Sequence, residues 1–140
     1  MRINVPKHRF SIETSDEWVP DDLDAEALHG LYLRSVAFGL YMNVRAQQAD
    51  GHPLTEQGLR ALLDAQGWKP PPFDAWTEHV GDLTIVGGTF ETEGMNGEVV
   101  LEVLVTDGRS VVNLAGPAPR EIIVAATPAV RRLAATLKLD

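Results

Sequence analysis

The chain has 140 residues, with twelve Lys and Arg against twenty Asp and Glu, a net charge of −8 and no cysteine. That length suits a single domain, residues 1–140, built on one core. The missing cysteine excludes disulfides, thiolate chemistry and Cys-ligated zinc or iron–sulfur sites, and the negative balance opposes a phosphate backbone, so nucleic acid is not the expected partner.

The opening MRINVPKHRF carries early positive charge, but no apolar run of signal-peptide length follows it. The most apolar run, IIVAATPAV, is nine residues long and holds a proline, whereas a bilayer span takes roughly 17–25 residues. The expectation is a cytoplasmic chain without membrane insertion. Residues 8–14, HRFSIET, alternate with Phe10 and Ile12 on one side and break at Ser15 and Asp16, which predicts a first strand and a turn. The segment 13–26, ETSDEWVPDDLDAE, then packs seven carboxylates around Trp18 with no Lys or Arg. Aromatic and β-branched residues predict strands at about 28–34 and 36–47.

The strongest local signal is HPLTEQGLRALLDAQGWKPPP. Thr55 suits an N-cap, Leu54 and Leu59 suit a hydrophobic staple, and Leu59, Leu62 and Leu63 recur at helical spacing. Gly67 stands where a left-handed cap is wanted and prolines 70–72 end the helix. Residues 74–80 suit an edge strand. The segments 83–92, 97–106 and 110–116 read as an antiparallel meander, because EGMNG and TDGRS place glycines where tight turns need them. Val99, Leu101, Val103 and Val105 share the buried face of the middle strand, with Val100, Glu102, Leu104 and Thr106 on a mixed opposite face. Gly87 and Gly88 mark a bulge or a close packing contact. Near the C-terminus REIIVAA is expected as a strand, and Thr127 as N-cap with Pro128 at N1 opens a last helix striped by Val130, Leu133, Ala134 and Leu137, with Lys138 in its last turn.

The order of RFSIETSDEW, a strand ending NVRAQQ, the LTEQGLRALL helix, DLTIVGGTFET, GEVVLEVLVTDGRSVVNL and AVRRLAATLKL resembles the Mog1/PsbP-like group, including its DcrB-like and LpqN-like members. The resemblance implies an α+β fold, a twisted antiparallel sheet of about five to seven strands packed against two main helices. It also implies a noncatalytic binding scaffold, since the group has been adopted as photosystem extrinsic subunits, a small-GTPase release factor, lipoproteins and secretion-associated chaperones. Prolines 70–72 and REIIVAA depart from the group's usual pattern.

Chemistry finds little foothold. His8, His29, His52 and His79 lie more than twenty residues apart, and no phosphate loop or nucleophile elbow occurs. Ligand order starting from Asp16, Asp21, Asp22 or Asp24 does not match a calcium loop. No cofactor, metal or catalytic residue is expected, and an enzyme would need Glu102 or His79 turned into an enclosed pocket beside a polar companion. The candidate partner-binding residues are Trp18, Asp21, Asp22 and Asp24, with Trp68, Phe73 and Trp76 completing an aromatic rim between helix and sheet. The leading expectation is a noncatalytic bacterial protein-binding domain, an adaptor, secretion-associated chaperone or immunity-type protein, whose partner carries a basic surface; homo-oligomerisation stays open. The alternative is a small-molecule or lipid carrier with a pocket between helix 55–66 and the sheet.

Overall fold

The computed structural model describes residues 1–21, 29–66, 69–92 and 97–140. Its main body is a seven-stranded antiparallel sheet of β3 (Trp18–Pro20), β4 (Leu31–Ser35), β5 (Tyr41–Gln47), β6 (Lys69–Val80), β7 (Leu83–Glu91), β8 (Glu98–Thr106) and β9 (Val111–Pro119), in the order β3-β4-β5-β9-β8-β7-β6. A second sheet joins β1 (Arg2–Val5), β2 (Phe10–Glu13) and β10 (Lys138–Leu139). Helix α1 (Glu56–Asp64) covers one face of the large sheet and α2 (Arg120–Ala135) the other. This is the expected α+β architecture with two main helices.

Every residue of β8 from Val99 to Thr106 is buried. Val99, Leu101, Val103 and Val105 pack with Ile123, Ala126, Val130 and Leu133 of α2 and with Phe10 and Ile12 of the small sheet. The opposite row is buried as well: Leu104 joins Val86, Phe90 and Val111 beneath Leu59, Leu62 and Leu63 of α1. A strand with two apolar faces needs a layer on each side, and the two helices supply it.

Helix α1 forms as its sequence dictates. Thr55 accepts the Gly58 N–H at 3.2 Å as the N-cap, and Leu54 packs against the cluster that holds Leu59. Its C-terminal Ala65 closes the helix through backbone bonds; Gly67 and Trp68 lie outside the described residues. The strand expected over 36–47 is shorter, because residues 36–39 turn between Ser35 and Leu40, with the Ser35 N–H donating to the Leu40 carbonyl at 2.8 Å.

Four expectations are corrected. The edge strand expected over 74–80 starts earlier, at Lys69, and takes in prolines 70–72; in an edge strand half of the N–H groups face away from the ladder, so proline is tolerated there, and the register of β6 against β7 shifts twice before Trp76. REIIVAA is helical, since Ile123, Ala126, Val130 and Leu133 prolong one stripe through all of α2. Pro128 therefore lies inside the helix, where the carbonyl it deprives belongs to Val124 on the solvent side, and Thr127 donates to the Ile123 carbonyl at 2.6 Å instead of capping. Lys138 leaves the helix to pair with Ser11 in β10. The helix end is tied down there, with Arg2 donating to the Thr136 carbonyl at 2.8 Å and the Glu13 N–H to Thr136 Oγ1 at 3.0 Å.

Gly87 and Gly88 make no bulge against β8, whose register is continuous. They are close-packing sites: a Cβ on Gly87 would stand 2.3 Å from the Trp76 ring, and one on Gly88 would stand 2.9 Å from Pro72 Cβ. Gly87→Ala is therefore expected to lower stability by about 1–3 kcal/mol, read from the urea midpoint; an unchanged midpoint would mean that Trp76 does not lie on this glycine.

Candidate docking groove

The groove grows out of the alternation of β6. From Trp76 to Val80 its pairing with β7 is regular, and Gly81 at φ +58° opens the two-residue turn back to Leu83. Alternate side chains then point to opposite faces. Toward α1, Thr77 accepts a hydrogen bond from Arg60, and His79 Nε2 meets Glu56 Oε1 at 2.9 Å. Toward α2, Trp76 and Glu78 both meet Arg131: the guanidinium lies 4.6 Å from the Trp76 ring centroid and its Nε donates to Glu78. One turn of irregular strand earlier, Arg120 lies 4.0 Å over the Phe73 ring.

Arg120 and Arg131 are eleven residues apart, three helical turns, so both fall on the side of α2 that overlooks the edge strand. Each cation–π contact contributes about 0.5–1 kcal/mol at exposed sites and about 2 kcal/mol when desolvated. Here they hold planar guanidinium groups at the mouth of a groove. A cleft of about 380 Å³ is lined by Glu78, Thr127, Pro128, Arg131, Arg132 and Ala135. Another of about 330 Å³ places Arg120 with Glu91, Thr92 and Glu98. Trp76 is half-buried, and its indole Nε1, itself buried, has no hydrogen-bond partner among the described residues.

The predicted site residues divide. Phe73 and Trp76 both lie on β6 beneath arginines of α2, packed against the core. Trp18 does not join them: it is 3 % exposed, faces the core from β3, and five strands separate it from β6. Sequence alternation makes this intelligible, because Val19 is the residue of β3 that faces solvent. Asp21 is exposed just past β3, on that same far edge. Asp22, Asp24 and Trp68 lie outside the described residues. Arg120, Glu78 and Arg131 were missed; the eleven-residue spacing was present, but reading 120–126 as a strand hid it.

The expected pocket beneath helix 55–66 meets a packed interface, where Leu59, Leu62 and Leu63 lie directly against Val86, Phe90, Leu104 and Val111. Glu102 does turn inward on this face, and Asn113 Nδ2 donates to its carboxylate at 2.6 Å, bracing β8 against β9. Among the described residues no group of three His, Asp or Glu could hold a metal ion. His79 is exposed, and His8 Nδ1 accepts the Ala46 N–H at 2.8 Å.

One titrating contact ties the groove to the far edge. Arg132 donates to both Glu17 oxygens, at 2.5 and 3.0 Å. These hydrogen bonds, aided by the charge of Arg132 and opposed by partial burial, hold the Glu17 carboxyl below its ordinary 4.5, and the same bonds raise Arg132.

No protein-family model matches the chain, and no curated protein matches it. Solved structures do. The solution structure of cyanobacterial PsbP (CyanoP) from Synechocystis sp. PCC 6803 superimposes with a TM-score of 0.59 at 12 % identity, over 100 % of this chain and 92 % of that one. The chain thus shares the Mog1/PsbP-like fold, as its sequence resemblance implied.

The Glu17 contact generates a pH prediction. A carboxyl held low in the folded state stabilises above its unfolded value and loses that contribution as pH falls through its folded one. Glu17→Gln should therefore be less stable than the parent at pH 7, with the difference fading as pH falls below about 4.3 and gone once pH is below the lowered folded value, in urea midpoints measured across that range. A difference that persisted into acid would refute the ion pair.

Proposed function

We propose that this chain is a noncatalytic protein-binding domain that takes an extended segment of its partner along the edge of β6 and under the arginines of α2. The observation that carries the reading is the open edge strand from Trp76 to Val80, flanked by the stacked pairs Arg131–Trp76 and Arg120–Phe73. In an antiparallel ladder every second residue turns its N–H and C=O away from the neighbouring strand. With the tight turn after Val80, those residues are Thr77 and His79. An added strand would pair with them, while Trp and Arg, the residue types that dominate binding hot spots, meet its side chains.

The fold likeness supports a binding scaffold, and no helix among the described residues is long and apolar enough to cross a membrane. The net charge of −8 favours a partner with a basic surface at long range. An adaptor, secretion-associated chaperone or immunity-type role in a bacterial cytoplasm fits such a domain.

The test is affinity capture from the source lysate with the parent and with Arg120→Glu/Arg131→Glu as baits, followed by direct binding of the purified partner. A polypeptide retained by the parent and depleted at least about tenfold by the double variant is expected. Equal retention would overturn the groove. A small molecule seen on the parent by native mass spectrometry, with no polypeptide, would favour the carrier.

A further inference from the structure

The outer face of β3, β4 and β5 carries a second surface, at the opposite edge from the groove. Helix α1 packs on β6, β7 and β8 and leaves this face uncovered by any described helix. Val19, Tyr32 and Tyr41 are 40 %, 39 % and 47 % exposed, Arg45 is exposed and Arg34 half-buried. The register gathers them: Val19 stands opposite Arg34, and Arg34 opposite Tyr41, in one row across three strands. Tyr32 and Arg45 flank that row from positions two and four residues along their strands, on the same face.

Arg109, Arg131 and Arg132 are each matched to a carboxylate, and Arg2 and Arg60 to oxygen acceptors, whereas the side chains of Arg34 and Arg45 make no hydrogen bond or ion pair with any described residue. The carboxylate bordering the patch among the described residues is Asp21 at its outer rim, where the Asp21 N–H donates to the Tyr32 carbonyl at 2.9 Å. Two unmatched guanidinium groups beside two exposed phenols, on a chain of net charge −8, make a local field opposite in sign to the whole. At physiological salt the Debye length is about 8 Å, so the two guanidinium groups, with Asp21 at the rim, outweigh remote charges in setting what binds there.

We infer that this face docks an acidic segment of a partner protein, its carboxylates on Arg34 and Arg45 and its apolar side chains on Tyr32, Tyr41 and Val19. Bidentate guanidinium–carboxylate bonding and aromatic cover are the interactions that such residues supply.

The probe is a synthetic peptide of four Glu-Leu-Glu repeats, titrated into isotope-labelled protein, with a Lys-Leu-Lys peptide as control. Amide shifts should cluster at Val19, Tyr32, Arg34, Tyr41 and Arg45. Affinity should fall at least about tenfold in Arg34→Glu/Arg45→Glu and fall with added salt, while Arg120→Glu/Arg131→Glu binds as the parent does. The reversal should move Tm by less than about 3 °C, as at a solvated surface. Shifts centred on Phe73 and Trp76, equal binding of the lysine peptide, or no binding would overturn the inference. So would a larger Tm loss, which would show that these cations are engaged within the chain, and so would binding confined to anionic vesicles or an oligonucleotide.

Discussion

The constraint on which the rest of this structure depends is the double burial of β8. Its eight consecutive buried residues leave no solvent face, so the sheet is stable only with cover on both sides. Helix α2 and the small sheet provide it for Val99, Leu101, Val103 and Val105, and α1 for Leu104. Glu102 is the polar exception in that strand, and its bond to Asn113 keeps a buried carboxylate hydrogen-bonded.

Cover decides where function can sit. Helix α1 has nine residues, about 14 Å of length, too short to shield a sheet of seven strands. The strands under it are closed, and what stays open lies toward the edges: the main-chain groups of β6 on one side, the tyrosine and arginine row of β3–β5 on the other. Edge strands invite unwanted pairing. In β6 the prolines, the two register shifts and the left-handed Asp74 at φ +50° spoil its first half for strand addition. Its second half stays regular and is anchored on both faces, by Arg60 and Glu56 from α1 and by Arg131 from α2. A rigid, unpaired strand is a template for a partner, and its rigidity lowers the ordering cost of binding.

Much of the fold was legible in the sequence because periodicity reports burial. The alternation of β8, the capped stripe of α1 and the positive φ of Gly97 and Gly108 each follow a local rule that the tertiary structure obeys, while residues 93–96 of the EGMNG turn lie outside the described residues. Legibility failed where two rules competed. The β-branched run at 122–124 outweighed a helical stripe that becomes visible only when Leu133 and Ala134 are counted with Ile123 and Ala126, and Pro128 was taken for a start because its tolerance inside a helix depends on which carbonyl faces water. The start of β6 at Lys69, ahead of the expected 74, is hidden because nothing local says that the strand prolines 70–72 enter is an edge. The candidate site suffered most. Trp18 was placed with Trp76 on residue type, and only strand order shows that one is the inward residue of β3 and the other lies at the far edge beside α2.

The account's central claim is that β6 is an open, ordered edge, and amide hydrogen exchange on the isolated protein tests it most directly. Glu78 and Val80, whose N–H groups face β7, should be protected by orders of magnitude, while Thr77 and His79, facing outward, should exchange within minutes. Equal protection of all four would mean that the edge is already covered, and equal fast exchange would mean that β6 is not held as a strand; either result would contradict the proposed docking edge.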